Sequence, residues 1–380
     1  MAKPAPRMLA AILLAFFLFP NPVSVRAAGD DAREEEYFRA EVVSVTGAGE
    51  DRTGDGPFQT VQEITVRALS GSLRGREVKT EQYFEILPSD DHLAKVGDRV
   101  VMLRTAVAGE ESYHLTDFYR FPALAWIFAA FFLLAIAVGR WRGFTSILGL
   151  LFSVSVIALY VIPGILDGKS PLAVSLIGSF GIALFSIYLS HGLNRRTSIA
   201  LGSTLLTLGL AAFLSVVFVA MSRVYGLGSE EAFYVQMGMQ DVNMKGILLG
   251  GIILGALGVL DDVTMAQSSS VEEIHLANPS LPFSELYRRG MSVGKEHIAS
   301  MVNTLALAYF GASLPLFLLF VMDKTRPFWV IVNGEMIAEE IIRTLVGSSV
   351  LICAVPLSTV LAAYVFSRKG KKTVSGSGQG

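Results

Sequence analysis

The sequence predicts an α-helical polytopic membrane protein, with about seven transmembrane helices after a signal or anchor and a small N-terminal extracytoplasmic all-β domain. Three observations predict this fold class. Of the 380 residues, 52% are hydrophobic and only 17% are charged, whereas an ordinary soluble domain carries about 25% charge. Long apolar stretches fill the chain from residue 122 onward, and the polar segment before them contains short alternating runs.

The N-terminal segment, residues 1–27, has the order of a secretory signal. Two basic residues precede the apolar run Met8–Phe19, which is shorter than the roughly 20 residues that a spanning helix needs. Val25 and Ala27 then occupy the −3 and −1 positions of a cleavage site. Residues 1–27 are therefore either a cleaved signal peptide or an uncleaved anchor, and both export the segment that follows.

The polar segment 28–118 predicts the extracytoplasmic domain. Ile64, Val66 and Ala68 alternate with polar residues, a period of two that indicates a half-buried strand. About five such runs are separated by turns that contain glycine. A chain of this length with about five strands is typical of a small barrel or sandwich.

The segment 122–366 predicts the transmembrane helical domain. Most of its apolar stretches approach the length that a helix needs to cross about 30 Å of hydrocarbon. The predicted spans are Ala123–Val138, Phe144–Ile162, Pro171–Ser190, Ser198–Met221, Gly246–Ala266, Ile298–Met322 and Ile341–Phe366.

The charges that flank these stretches predict the orientation. Basic clusters follow the first, third and fifth spans and the seventh, so all fall on one side if the spans alternate, and the opposite loops are mainly acidic. By the positive-inside rule, the basic and disordered tail 367–380 is cytoplasmic and residues 28–118 lie outside a bacterial inner membrane. The sequence therefore predicts the lipid bilayer as a binding partner of the protein. The net charge of −2 gives no reason to expect nucleic acid.

The fifth predicted span contains the strongest candidate site. Gly251, Gly255, Gly258 and Asp262 share one helical face, and the small residues at its start let another helix pack closely. Asp261 precedes Asp262. Carboxylates inside a membrane are costly unless paired or hydrated, so this pair predicts an ion-coupling site.

Polar residues at the start of the sixth span are the predicted partners of this pair. Lys295 would neutralise one aspartate, with Glu296 and His297 beside it, and Asn303 and Thr304 continue a polar strip into the apolar helix. The secondary candidates are Gln267, Glu339, Glu340 and Arg343.

Other interpretations of the same residues remain open. Asp261 and Asp262 could end a helix and face cytoplasmic water, and Lys295 could be a positive-inside anchor. Glu339, Glu340 and Arg343 could form local ion pairs at the outer interface, because their spacing permits contact within one helix.

Enzyme signatures are not found in the sequence. There is no H-E-x-x-H, no G-x-S-x-G and no P-loop lysine. The five histidines are scattered, so we expect no metal site, no cofactor and no enzymatic activity.

Three stretches give the chain a resemblance to the YibE/F family of bacterial multi-pass membrane proteins. They read GALGVLDDVTMAQSSSVEEIHLANPSL (Gly255–Leu281), ELYRRGMSVGKEHIASMVNTLALAYFGASLP (Glu285–Pro315) and EEIIRTLVGSSVLICAVPLST (Glu339–Thr359). The resemblance covers about residues 98 to 366. It implies the membrane topology and names no substrate.

A second resemblance concerns the layout of the candidate site. The run Gly258–Gln267 followed by Met291–Tyr309 is similar to the fourth and fifth spans of RND-type permeases and SecD/SecF proteins. Those proteins couple protons through an acidic residue in a glycine-rich span and a basic or polar residue on neighbouring spans. The chain differs from them in its larger number of spans after the exported domain and in the small size of that domain.

Two functions follow as expectations. The first is a membrane transporter or permease for an unknown small solute or ion, proton- or ion-coupled through Asp261 and Asp262. The alternative is a non-catalytic membrane scaffold or accessory protein that binds an envelope partner through residues 28–118. The glycine-rich faces are equally compatible with packing within one chain and with a homo-oligomer.

Overall fold

The structure is a computed structural model that describes residues 34–51, 59–84, 92–107, 110–239, 241–322 and 324–374. The predicted signal or anchor, residues 1–27, lies outside the described residues. The chain divides into two compact units, Met1–Ala129 and Ala130–Gly380, and each is described by itself.

The first unit contains a five-stranded antiparallel sheet, which confirms the predicted small all-β domain. Its strands pair in the order β3-β2-β1-β4-β5. The Thr80 hydroxyl donates to the carbonyl oxygen of Tyr113 at 2.5 Å, so the sheet curls until β3 approaches β5. Alternating side chains such as Val66 and Met102 fill the core, as period-two strands require. The strands are β1 (Glu34–Asp51), β2 (Gln59–Ala68), β3 (Glu77–Phe84), β4 (Arg99–Val107) and β5 (Glu110–Phe118).

The second unit is helical, and a π-helical turn, Ile157–Val161, joins its first two helices. The helices are α1 (Phe121–Val156), which begins in the first unit, α2 (Ile162–Leu166), α3 (Pro171–His191), α4 (Arg195–Met221), α5 (Glu230–Gly238), α6 (Met244–Ala277), α7 (Phe283–Ala312), α8 (Leu314–Met322), α9 (Phe328–Val332) and α10 (Glu335–Val374).

The helices confirm the predicted polytopic helical class, and the number of spans depends on how two bent stretches are divided. Among the described residues, five helices are long and apolar enough to cross a membrane, or six if α7 and α8, bent by 64°, count as one span. The first two predicted spans share the 46-residue stretch Phe121–Leu166. At about 1.5 Å per residue this stretch is more than twice as long as the hydrocarbon is thick.

A break at Arg140 separates those two predicted spans. Its φ of 52° and ψ of −128° are not helical. A Cβ atom at Gly143 would lie 2.0 Å from the carbonyl oxygen of Ala135, so the backbone bends sharply here and only glycine fits. The break therefore divides α1 into two helical segments, at the place where the sequence predicts one span to end and the next to begin.

Helix α6 is the central helix of the second unit, because it packs against α3, α4, α7 and α10. Ile253, Leu257, Leu260 and Val263 of α6 are buried in the main hydrophobic core. The burial of one helix by four neighbours is unusual for a surface helix and typical of the core of a bundle.

Cross-helix contacts fix the register of α6. The Thr204 and Thr264 hydroxyls are hydrogen-bonded at 2.7 Å, and Arg196 pairs with Glu272 at 3.5 Å, so α4 runs antiparallel to α6. The Gln267 amide donates to Thr359, and His275 stacks on Phe366, so α10 runs parallel. Asp261 lies halfway along the 34-residue α6, and this register sets it level with the middle of both neighbours.

Gly294 of α7 offers a test of this helix packing. A Cβ atom there would lie 2.3 Å from Cγ1 of Val355 and 3.1 Å from the Gln267 amide. We expect Gly294→Leu to lower the free energy of unfolding by about 1–3 kcal/mol or more, because overpacking forces helices apart. In a thermal unfolding assay, the matched control Gly209→Leu should stay near wild type, because a Cβ atom at Gly209 meets no atom within 4 Å. Equal melting temperatures would contradict this packing.

Candidate functional site

Asp261 has the most unusual environment among the predicted site residues. Its side chain is half-buried on α6, and its Oδ1 atom is buried and accepts no hydrogen bond from any described residue. Buried polar atoms are nearly always paired, so an unpaired carboxylate oxygen needs an explanation such as a proton, an ion or water.

Asp262 lies on a different side of α6 and is exposed. It forms no ion pair within 4.0 Å with any residue that the structure describes. The charged side chains of Asp262, Arg142 and Arg196 all lie within electrostatic range of the His191 imidazole, at the end of α3. The two adjacent aspartates therefore have different environments, one inside the bundle and one at its surface.

Lys295, the predicted partner, does not pair with either aspartate. It is exposed on α7 and takes part in none of the ion pairs between described residues. It follows Gly294, which faces α6 and α10, and one residue further along a helix the side chain points about 100° away. The structure therefore does not bring the predicted pair together within one chain, although the residue does lie near the level of the aspartates.

The rest of the predicted polar strip, except His297, also faces away from the bundle. Glu296, Asn303 and Thr304 are exposed, and the Thr304 hydroxyl donates to the carbonyl oxygen of Ser300 at 3.0 Å. His297 is half-buried, and its Nδ1 atom is buried without a partner among the described residues. The strip thus forms a polar surface of α7 and does not meet Asp261.

Gln267 joins three helices. Its Nε2 atom donates to the carbonyl oxygen of Gly290 at 2.9 Å and to the hydroxyl of Thr359 at 2.7 Å. The side chain is fully buried, and its Oε1 atom has no partner among the described residues. A Cβ atom at Gly294 would lie 3.1 Å from both amide atoms, so the glycines of α7 make room for this amide.

The predicted packing glycines of α6 behave differently from one another. A Cβ atom at Gly255 would lie 3.3 Å from the hydroxyl of Tyr309, whereas one at Gly251 or Gly258 would meet no atom within 4 Å. Within the chain, Gly255 is therefore approached closely by α7, and Gly251 and Gly258 are open. The tightly packed glycine of this helix is Gly250, where a Cβ atom would lie 2.4 Å from the Ser175 hydroxyl.

Two glutamates at the start of α10 form what we call the carboxylate clamp, Glu335 and Glu339. The Oε1 atom of Glu335 accepts the backbone N–H groups of Tyr225, Gly226 and Leu227 at 2.6, 2.9 and 3.2 Å. Glu339 accepts the N–H of Gly228 at 2.9 Å and is 7% exposed. The clamp fastens the loop between α4 and α5 to α10. Glu339 therefore makes a structural contact, with Gly228, that the sequence pattern did not indicate.

The clamped loop requires two glycines. Gly226 has a φ of +86°, and a Cβ atom there would lie 2.4 Å from the carbonyl oxygen of Met244. A Cβ atom at Gly228 would lie 2.7 Å from Cδ of Glu339. The loop can therefore approach both α6 and α10 closely only because these positions lack side chains.

The other two secondary candidates form a local ion pair. Arg343 contacts Glu340 at 3.2 Å within α10, as the i, i+3 spacing permits. The Nε atom of Arg343 is buried and has no partner among the described residues. An apolar cavity of about 160 Å³ lies beside this pair, at the bend between α7 and α8. Its lining includes Tyr309, Phe317 and Glu340.

The β-domain carries a polar groove of about 640 Å³. The Tyr113 hydroxyl donates to Glu111 in this groove, and this hydrogen bond, together with the Arg104 guanidinium, lowers the pKa of Glu111. The same hydrogen bond raises the pKa of Tyr113. Charged and aromatic side chains in the lining include Glu63, Lys79, Glu81, Tyr83 and His114.

A comparison with models of protein families shows to which family the chain belongs. The family model described as YibE/F-like protein matches residues 127–368. The chain belongs to the YibE/F-like family. No curated protein and no solved structure matches it. Family membership and the apolar helices together show a multi-pass, membrane-type helical protein.

Several residues of this YibE/F-like protein were missed by sequence reasoning. The Thr204–Thr264 hydrogen bond and the Gly290 contact depend on interhelical register, which leaves no local signal in the chain. Glu335 had a signal: it precedes Glu339 by four residues, on the same helical face. Two acidic side chains so placed indicate a shared partner, although they do not identify the loop.

Proposed function

We propose that this protein is an integral membrane transporter, coupled to protons or another small cation through Asp261. The observation that carries the proposal is the buried, unpaired Oδ1 atom of Asp261, halfway along the central helix. An ionised carboxylate within a spanning helix is costly, by about 2.5–3.5 kcal/mol or more where it lies at the bilayer centre. Such residues are typical of ion pathways and proton relays.

The coupling follows from the charge of this carboxyl group. When it binds a proton or a cation, the cost of burying it falls, and the equilibrium between two helix arrangements shifts by that difference. Asp262 adds a second negative charge next to it, at the surface of α6. Gln267 holds α7 and α10 against α6 two turns away, so a change at Asp261 can reach both helices through α6.

The proposal includes an orientation in a bacterial inner membrane. Arg195 and Arg196 precede the spanning part of α4, and Arg368 ends that of α10. The register places these residues at the same end of the bundle, which supports a cytoplasmic location for this end. With the break at Arg140 as a cytoplasmic turn between two crossings of Phe121–Leu166, the β-domain lies outside, and Asp261 lies in the inner half of the bilayer.

The test measures charge movement without knowledge of the substrate. Purified protein in liposomes is adsorbed on a supported membrane, and the buffer pH is stepped. Proton binding to a carboxylate within the membrane displaces charge and gives a transient current. We expect this current from the wild type and not from Asp261→Asn.

The β-domain groove favours a second candidate function. Its polar, partly aromatic lining is typical of a surface that binds a protein or small-molecule partner, as a membrane scaffold or accessory protein requires. In this case, a variant with Glu63→Ala and Tyr83→Ala would lose a copurifying envelope partner, and Asp261→Asn would keep it. Retention of the partner by the groove variant would contradict this second function.

A further inference from the structure

The cavity at the bend between α7 and α8 is lined by residues of three helices. Tyr309 and Phe310 lie in the last turn of α7, Phe317 lies in α8, and the other wall belongs to α10. The rings of Phe310 and Phe317 stack across the 64° bend, with their centroids 4.8 Å apart. Broken spans of this kind commonly form the binding sites of membrane transporters. The cavity is therefore a candidate ligand site, separate from Asp261, which does not line it.

The size of the cavity indicates the size of its ligand. Its volume is about 160 Å³, whereas pockets for drug-sized molecules measure about 300–1,000 Å³. An apolar cavity of about 150 Å³ in another protein binds benzene. Most of the wall is apolar and comes from the side chains of Phe310, Phe317, Ile341 and Leu345. The cavity therefore fits the apolar body of a small molecule, about the size of one benzene ring.

The polar groups of the lining indicate the charge of the ligand. Glu340 is half-buried and contributes a carboxylate, and no lysine, arginine or histidine occurs among the described lining residues. The rings of Tyr309, Phe310 and Phe317 line the same cavity. An aromatic ring attracts a cation within about 6 Å of its centroid, and a carboxylate forms a charge-assisted hydrogen bond with an ammonium group. The lining therefore favours a ligand with a positive charge.

Arg343 does not cancel this preference. Its Nη1 atom contacts Oε1 of Glu340 at 3.2 Å, but Arg343 does not line the cavity. A carboxylate has about four acceptor positions, so Glu340 can bind a second donor. Glu335, Glu340 and Arg343 all lie within electrostatic range of Glu339. Three carboxylates and one guanidinium thus occupy the start of α10, and their excess of negative charge favours a cation in the cavity.

We propose that this cavity binds a small organic cation, a molecule with one ammonium group and an apolar body of about one ring. The ammonium group donates to Glu340, and the apolar body packs against Phe317 and Ile341. The side chains of Phe310 and Leu345 are exposed beside the cavity, so such a molecule can enter from the membrane. A lipid acyl chain would fill the apolar part as well, but it offers no partner to Glu340.

Three probes that share one ring and differ in charge test this assignment. They are 4-fluorobenzylamine, which is a cation at neutral pH, the uncharged 4-fluorobenzyl alcohol and the anion 4-fluorobenzoate. Fluorine NMR measures their binding to the full-length protein in nanodiscs, and empty nanodiscs correct for partition into lipid. We expect saturable binding of the amine, at least tenfold weaker binding of the alcohol and no binding of the benzoate.

Two variants locate the binding of the amine in the cavity. Glu340→Gln keeps the shape of the side chain and removes its charge, so it should weaken binding of the amine at least tenfold. Thr344→Phe places a ring in the cavity wall and should abolish binding of both the amine and the alcohol. Their matched controls are Glu296→Gln and Leu307→Phe, at exposed positions of α7 that do not line the cavity, and both should bind as wild type does.

Four results would overturn the proposal. They are the absence of saturable amine binding to the wild type, equal binding of amine and alcohol, wild-type binding by a folded Glu340→Gln or Thr344→Phe protein, and a lipid site. A lipid site would appear in native mass spectrometry as a phospholipid that stays bound to the wild type and is absent from Thr344→Phe. One variant acts through charge and the other through volume, so a folding defect in either leaves the other as a test.

The same measurements separate this site from the proposed coupling at Asp261. Asp261→Asn should bind the amine as wild type does, because Asp261 does not line the cavity. A wild type that gives the pH-driven current and does not bind the amine would reject the ligand site and leave the coupling in place. A wild type that binds the amine and gives no current would reject the coupling and leave the ligand site in place.

Discussion

Replacing Asp261 by asparagine is expected to reduce the pH-driven current to the level of empty liposomes. The amide has nearly the shape of the carboxyl group and cannot bind or release a proton. The variant should fold at least as well as wild type, because it removes the cost of an unpaired buried carboxylate. An unchanged or raised melting temperature therefore serves as the folding control.

Asp262→Asn is the matched comparison for this prediction. The same chemical change occurs one residue away, on a side chain that is exposed. We expect a smaller loss of current than for Asp261→Asn. A wild-type current from Asp261→Asn would exclude the proposed coupling role, whatever the effect at Asp262.

Chemical labelling provides a second measurement of the same prediction. A hydrophobic carbodiimide modifies protonated carboxyl groups inside membranes, and peptide mass spectrometry locates the label. We expect label on Asp261 that decreases as the pH is raised, because the ionised form does not react. Absence of label at Asp261 at every pH would contradict a titrating carboxyl group there.

The double variant Glu335→Ala, Glu339→Ala is expected to have the second large effect, on stability rather than on charge movement. It removes both carboxylates of the clamp and leaves four backbone N–H groups, those of residues 225–228, without acceptors. Hydrogen bonds to charged groups contribute about 1.5–3 kcal/mol each. Three of these N–H groups are exposed or part-buried and can bind water instead, so the losses do not add, and we expect the free energy of unfolding to fall by roughly 3 kcal/mol.

Hydrogen exchange locates this effect in the chain. Exchange of the amides of residues 225–228 should rise about tenfold or more, since every 1.4 kcal/mol of lost protection is a factor of ten. Glu340→Ala is the matched control, because Glu340 lies in the same turn of α10 and pairs only with Arg343 among the described residues. Glu335→Gln and Glu339→Gln keep an acceptor oxygen and should lose less. Unchanged exchange in the double variant would mean that the clamp does not hold the loop.

The sequence predicted secondary structure best in segments where the pattern of apolar residues decides the local structure. Alternation around Ile64 and Val66 predicted a strand that buries both side chains, and continuous apolar runs predicted α3 and α4 nearly to their ends. The start of α6 was predicted too, but the helix continues eleven residues past the predicted end, from Ala266 to Ala277. The sequence predicted a boundary between Val138 and Phe144, where the break at Arg140 lies, but not its sharp bend, which depends on Gly143 fitting against Ala135. That close approach has no signature in hydropathy.

The candidate site was predicted in part. The sequence predicted a carboxylate within the membrane part of α6 from charge in an apolar run, and Asp261 is half-buried there, with its Oδ1 atom buried. The identity of its partners did not follow, because adjacent residues on a helix point about 100° apart. Lys295 therefore faces outward although Gly294 next to it packs against Gln267.

The sequence by itself determined the membrane class, the β-domain, the family and the helix that carries the aspartates. These properties depend on residue type and short-range periodicity, which each segment carries in its own sequence. Only the tertiary structure decided which carboxylate is buried, that Glu335 and Glu339 hold a loop, and that the polar face of α7 is open. Those properties depend on the rotation and register of helices against one another, because a shift of one residue changes every partner of a side chain.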